Sequence, residues 1–361
     1  MTTLSICIPS HAPLTAARAS IESAVALLPY GDIEVVVSDN SHDTSKKVFL
    51  GSLDRPGFRY LHSPYDDGFE NWRHAIDSAR GEFIVLLGDE DILTVLPGFT
   101  TPRSADLAGK IGFRPAHAMF SAEQGVYRPT NFAVEGASAL ERVQTFLQQH
   151  CGSNVTLYSA MRSEVWRNLF AGYLAHHPTR AGFTDWALTF ALVSTAPMTQ
   201  ETHLLYLYNS ANWDSAEKIK ASNQRGIAAG GLPPDADQIQ MALQAVDVFV
   251  AIARKDSPVS INEKIEAGLH VASLYYENFV ATLLKRFESG DKPSAKLRHT
   301  AKIALAASSP AGQLIACLVI IELWLPHLRE PYQKFFREVL GSDLAERVGL
   351  VGSQTMRGDA A

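Results

Sequence analysis

The chain is short of cysteine, of clustered positive charge and of apolar runs long enough to cross a membrane. Three cysteines, Cys7, Cys151 and Cys317, lie far apart in 361 residues. They show no metal-ligand spacing, and an odd, scattered set does not build a disulfide framework. A reducing cytoplasm is the expected compartment, with contact to the inner face of a membrane left open. No run of Lys and Arg stands out and the net charge is -6, so a nucleic-acid backbone is not an expected partner. Leu314 to Leu325 is apolar but holds Glu322, and a spanning helix needs about 20 apolar residues. A buried helix is expected there. The amphipathic stretch Pro331 to Leu340 that follows would rest on a membrane surface or pack on that helix. No basic region precedes an apolar run at the N-terminus, so no secretory leader is expected. No internal repeat is visible.

A hydrophobic share of 46% supports a sizeable core, and the length suggests two domains or one large one. The first 100 residues alternate apolar runs with helical patterns. Leu4 to Ile8, Ile33 to Val37, Phe58 to Leu61 and Phe83 to Leu87 read as strands. Ala16 to Leu28, Thr44 to Leu50 and Phe69 to Arg80 read as helices, the last with Gly81 as a natural C-terminal cap. Uninterrupted apolar strands between helices imply a parallel sheet covered on both faces. From about residue 101 the pattern loosens. Strands are expected within Met119 to Tyr127, Val155 to Ala160 and His203 to Tyr208, with helices at Ala137 to Gln149, Ser163 to Leu169 and Thr184 to Val193. After Asn212 strand signals vanish, and Asp235 to Lys255, Asn262 to Glu288, Ala295 to Ala307 and Ala311 to Leu325 read as helices. The expected partition is a regular strand–helix half (1–100), a less regular half (101–213), an all-α extension (214–350) and a disordered tail (351–361).

Gly88-Asp89-Glu90-Asp91 directly follows the fourth strand. Three adjacent carboxylates repel one another at neutral pH. Two readings fit: a divalent-cation site that also holds a diphosphate, or an acidic cap on a helix beginning near Leu93. Pro9, Asp39 and Asp89 to Asp91 all sit at strand exits, where parallel sheets bind ligands, and this favours the cation site.

Across residues 3 to 213 the chain resembles the family 2 glycosyltransferases of the GT-A fold. The resemblance is carried by Leu4 to Ser10 (LSICIPS), Ile33 to Asp43 (IEVVVSDNSHD), the Gly68, Asn71, Ala79, Gly81, Glu82 pattern, and Gly88 to Leu93 (GDEDIL). It implies a Rossmann-like α/β fold with a mostly parallel sheet, and transfer of a sugar from a nucleotide-sugar, UDP-linked in first place, with inversion. It implies a donor site on Pro9, Ser10, His11, Asp39, Asn71, Asp89 and Glu90, with Asp39 at the base. Asp91 would hold Mn²⁺ or Mg²⁺, and Asp185 in Thr184-Asp185-Trp186 would be the general base. The implied partners are the donor and a saccharide, lipid-linked or other hydroxyl acceptor in surface polysaccharide or glycoconjugate assembly. The C-terminal helices are left to a membrane contact or self-association. His11-Ala12 stands where the family often has Tyr-Asn; Tyr208 to Ala211 stands near the place of the family's late metal-binding His, and the nearest His is His203, inside a strand. A non-catalytic scaffold on the same fold is the alternative. A nucleotidyltransferase would need a Gly-rich loop after the first strand, and Ile8 to Pro13 has no glycine.

Among weaker candidates, His176-His177 reads as a solvated loop pair that could touch an acceptor. Trp213 reads as a core or rim residue with a possible sugar-stacking role.

Overall fold

The computed structural model describes residues 3–180, 184–288 and 293–350. The expected tail lies outside them. In chain order the elements up to residue 209 are β1 (Leu4–Ser10), α1 (Leu14–Val25), β2 (Ile33–Asp39), α2 (Thr44–Ser52), β3 (Phe58–His62), α3 (Gly68–Ser78), β4 (Phe83–Leu86), β5 (Ile92–Val95), β6 (Gly112–Ser121), β7 (Gly125–Thr130), α4 (Ala139–Gln149), β8 (Ala160–Arg162), α5 (Ser163–Asn168), α6 (Thr184–Thr195) and β9 (Met198–Asn209). Seven helices follow: α7 (Ala216–Ala229), α8 (Gln240–Ala253), α9 (Ile261–Glu288), α10 (Ala295–Ala306), α11 (Pro310–Trp324), α12 (Arg329–Leu340) and α13 (Ser342–Arg347). The fold is α/β with a mixed, mostly parallel sheet flanked by helices and an all-helical C-terminal region.

Contacts divide the chain into two compact units. One holds residues up to 137, 144–170 and 196–219; the other holds 138–143, 171–195 and 220 onward. The division is not a single cut near residue 213. Residues 171–195, with α6, group with the helices, because α6 is apolar nearly all round and packs against α8.

In the first unit the described strands form one sheet in the order β3-β2-β1-β4-β8-β6-β9-β5, with β7 on β6. β1 to β4 pair in parallel, and every residue of β2 and β4 is buried. This is the burial expected of apolar strands covered on both faces. β8 is antiparallel to both β4 and β6, so β6 runs with β4; β9 is parallel to β6 and β5 antiparallel to β9. The topology therefore brings the C-terminal ends of β1, β2, β3, β4, β6 and β9, and the start of β5, to one edge. The core under it holds Ile6, Ile8, Val35, Val37, Val85, Leu87, Leu93 and Tyr206.

Three local expectations are corrected. The residues after Asp91 form a strand and not a helix: Ile92 to Val95 pair with Leu204 to Leu207. The β-branched residues Ile92, Thr94 and Val95 suit that pairing. Val155 to Tyr158 is a 3₁₀ turn, and strand pairing begins only at Ala160. Gly81 does not cap α3, which ends at an extended Ala79. Gly81 is needed for space: a Cβ there would stand 2.6 Å from Ser5 Oγ and 2.7 Å from Ser5 N. Helix α7 escapes the sequence reading because it is polar and buries only Ile227.

The second unit is helical. α8 is buried from Ala242 to Ala253, and Trp324 Nε1 on α11 donates to Thr300 Oγ1 on α10 at 2.8 Å. With its lead-in turn, Pro234–Ala253 is long and apolar enough to cross a membrane, yet 78% of its apolar window is buried, as in an ordinary core helix. His177 is buried and not solvated. Its Nε2 stands 3.2 Å from Asp247 Oδ2, and Tyr332 donates to the other oxygen at 3.2 Å. Backbone N–H groups of Thr179 and Arg180 point at Nδ1, which makes Nδ1 the acceptor nitrogen of the ring.

Candidate donor site at the strand ends

The shared strand edge is held closed by Asp89. Its Oδ2 accepts hydrogen bonds from Ser10 Oγ at 3.0 Å and from the backbone N–H groups of His11 and Ala12, each at 2.7 Å. One carboxylate oxygen thus fixes the loop leaving β1 against the turn leaving β4. Charge-assisted bonds of this kind are about twice as strong as neutral ones. On the far side of the turn, Gly88 donates to Tyr206 Oη at 3.2 Å and its carbonyl accepts from Ser20 Oγ at 2.8 Å. A Cβ at Gly88 would collide with the Asp91 carboxylate, so no larger residue fits there without a shift.

Asp91 is 4% exposed. Its Oδ2 accepts from Tyr206 Oη at 2.6 Å and its Oδ1 from the Asn209 N–H at 2.7 Å. Burial raises its pKa to about 7, while Tyr206 and Asn209 pull it down and the charges of Asp89 and Glu90 add to the rise. Glu90, by contrast, is exposed. Among the described residues, no group of three or more His, Cys, Asp and Glu side chains is arranged to hold a metal. With both oxygens turned to protein donors, Asp91 does not fit the cation that the sequence resemblance places on it. It serves instead as a clasp between the β4 turn and β9.

Asp91 gives the fold a pH dependence. A carboxyl group whose folded pKa lies near 7, against about 3.9 unfolded, binds its proton more tightly in the native state. Its contribution to stability is then full below about pH 4 and is lost as pH rises through 7. Thermal unfolding of the wild type between pH 4 and 8, compared with Asp91→Asn, should show this component in the wild type alone.

At the exit of β2, Asp39 is buried against Lys46, with Nζ to Oδ1 at 2.8 Å and neither side chain more than 2% exposed. Ser41 N–H donates to the same oxygen at 3.1 Å, and Lys46 Nζ also donates to the Ala12 carbonyl at 2.8 Å. Removing one partner of a buried pair leaves an uncompensated charge, which costs about 3–5 kcal/mol. Lys46→Met should lower the unfolding midpoint in urea by a corresponding amount, and near-wild-type stability would refute the pairing.

The remaining expected site residues fall at the same edge in different roles. His11 is exposed, with Nδ1 3.2 Å from Asn40 Oδ1. Pro9 and Ser10 end β1 opposite Ser38 and Asp39. Asn71, on α3, is 2% exposed; it donates to the Ser38 carbonyl at 3.1 Å and accepts from Ser38 Oγ at 2.7 Å. It braces the ends of the strands. Trp213 is 39% exposed beyond the end of β9. Asp43 caps α2 through Ser45 and Lys46, and the Leu14 N–H, then the Ser45 hydroxyl, hold its pKa down at about 2.

Asp185 belongs to the other unit. It opens α6, is half-buried, and its Oδ1 accepts from the Trp186 N–H at 2.8 Å. The Tyr275 phenol on α9 is pushed up by burial and then by the Asp185 charge.

Residues 5–95 match the model of glycosyl transferase family 2. The chain carries a glycosyl transferase family 2 domain. The match starts within β1 and ends with β5, so it includes Asp39, Asp89 and Asp91 and stops well short of Asp185. No curated protein matches the sequence. Among solved structures, the chain is similar to Staphylococcus aureus TarS 1–349, at 12% identity and a TM-score of 0.47, over 96% of this chain and 90% of that one. TarS 1–349 in complex with UDP-GlcNAc gives 13% and 0.41 over the same shares. The mannosyltransferase PcManGT from Pyrobaculum calidifontis, in complex with GDP-Man and Mn²⁺, gives 17% and 0.40 over 89% and 87%.

Lys46, Tyr206, Asn209 and Asp43 were not among the expected site residues. Lys46 stands in the polar run Thr44-Ser45-Lys46-Lys47, which reads as solvated, and Tyr206 alternates with core residues of a strand. Only Asp43 carried a signal, as an Asp ahead of Thr-Ser at a helix start.

Proposed function

We propose that the protein is an inverting glycosyltransferase that moves a sugar from a nucleotide-sugar, UDP-linked in first place, to a hydroxyl acceptor in surface polysaccharide or glycoconjugate assembly. The observation that carries this reading is the closure of the β1 loop on Asp89 within a glycosyl transferase family 2 domain. That closure preorganises backbone and side chains at the strand ends, where a parallel sheet presents its ligand site.

Donor binding falls to the loop Pro9-Ser10-His11 and the turn after Asp39. Asp89 orients the first of these, and Lys46 links the two. Glu90, exposed beside Asp89, is the carboxylate left to meet the donor. Asp185 acts as general base: it takes the acceptor hydroxyl proton as the acceptor oxygen bonds to the anomeric carbon. The bond from that carbon to the diphosphate oxygen breaks on the opposite side, and its electron pair leaves with the nucleoside diphosphate. One such displacement inverts the centre and needs a single base. The reading has no step through a cation on Asp91.

The test is nucleoside diphosphate release from a panel of UDP- and GDP-sugars with mixed saccharide acceptors. Turnover with one donor that falls in Asp89→Ala and Asp185→Asn supports the reading. Undiminished turnover in both variants refutes the site.

A further inference from the structure

The helical unit contains a cavity of about 200 Å³ between α7, the turn before α8, α8 and α9. Four amide side chains line it: Asn223, Gln238, Gln240 and Gln244. Gln244 is 8% exposed and lines the cavity, and its side chain makes no hydrogen bond to another described residue. Its amide can therefore meet an occupant without giving up a bond within the protein. Gln240 and Gln244 are one helical turn apart and present their amides to one side. Phe279 and Leu283, each 3% exposed, give the cavity an apolar floor from α9 by the same spacing.

We propose that this cavity binds one pyranose ring of a saccharide. Amides both donate and accept, so a group of them matches hydroxyls, which do the same. An aromatic ring beside them suits the apolar face of a sugar. One acidic residue, Asp237, and one basic residue, Arg286, line the cavity, so its lining carries no excess charge to favour a phosphate or a simple cation. The volume lies below the roughly 300–1,000 Å³ of drug-sized ligand sites, which admits a single ring and not a nucleotide-sugar. None of the residues assigned to the donor lines it. The assignment of that saccharide as part of the acceptor rests on the glycosyl-transfer reading; the binding itself does not.

Saturation-transfer NMR on the full chain tests this with glucose, galactose, N-acetylglucosamine and chitotriose as probes. Thr282 is exposed at the cavity, so Thr282→Trp fills it from the rim without opening the core, and Gln244→Leu removes one of its four amides. Transfer to at least one probe is expected, at least tenfold weaker in both variants. The UDP-induced rise in melting temperature should stay unchanged, and circular dichroism should show both variants folded. No transfer to any probe, or equal transfer in a folded Thr282→Trp, overturns the inference. In either case a retained UDP shift leaves the donor reading standing. Transfer lost in the variants without any UDP shift in the wild type supports the saccharide site and counts against the donor reading.

Discussion

Asp185→Asn should lower sugar transfer by about 10²- to 10⁴-fold, the usual contribution of a positioned general base, and leave donor affinity unchanged. Asparagine matches aspartate in size and can keep the bond from the Trp186 N–H to Oδ1. It also favours helix starts as aspartate does. What it cannot do is accept a proton. The substitution therefore separates two roles that look alike in sequence. If Asp185 only stabilises the first turn of α6, the variant keeps its activity and its melting temperature. If it is the base, the rate with acceptor collapses while the melting temperature and the UDP-induced shift persist. Steady-state kcat with saturating donor and acceptor is the measurement, with nucleotide binding as the control.

Asp89→Ala should be the change at the strand ends that most damages donor binding. It removes one oxygen that takes three donors, from Ser10, His11 and Ala12. Net values for hydrogen bonds to charged groups are about 1.5–3 kcal/mol each. Water can replace the protein acceptor at the exposed His11 N–H, so a loss of about 2–4 kcal/mol overall is the reasonable scale. The β1 loop then loses its anchor to the β4 turn, and donor affinity should fall by at least tenfold. Asp89→Asn keeps an acceptor without the charge and should lie between the two. Urea unfolding and nucleotide titration on the same samples check both parts.

The parallel half of the sheet was legible because its strands are continuous apolar runs between turn residues, and this pattern has few other solutions. The gathering of Ser10, Asp39 and Asp89 at one edge followed from it. The antiparallel half was read less well. Val155 to Tyr158 has strand composition but forms a turn, since only Ala160 to Arg162 meets β4 and β6. The roles within the GDED turn were not legible. Sequence spacing cannot tell that Asp91 points inward to Tyr206 and Asn209, more than a hundred residues later, while Glu90 faces out. Lys46 was missed for the same reason: its buried partner is defined only by the packing of α2 on the ends of β1 and β2. His177 looked solvated beside His176 because its partner, Asp247, comes from a helix seventy residues on.

Nucleotide binding to the wild type and to Asp89→Ala, followed by UDP-induced thermal shift, tests the central claim most directly. The strand-end site built on Asp89 predicts a clear stabilisation of the wild type by UDP, and a loss of at least tenfold in apparent affinity in a folded Asp89→Ala. Equal stabilisation of both proteins by UDP would contradict it.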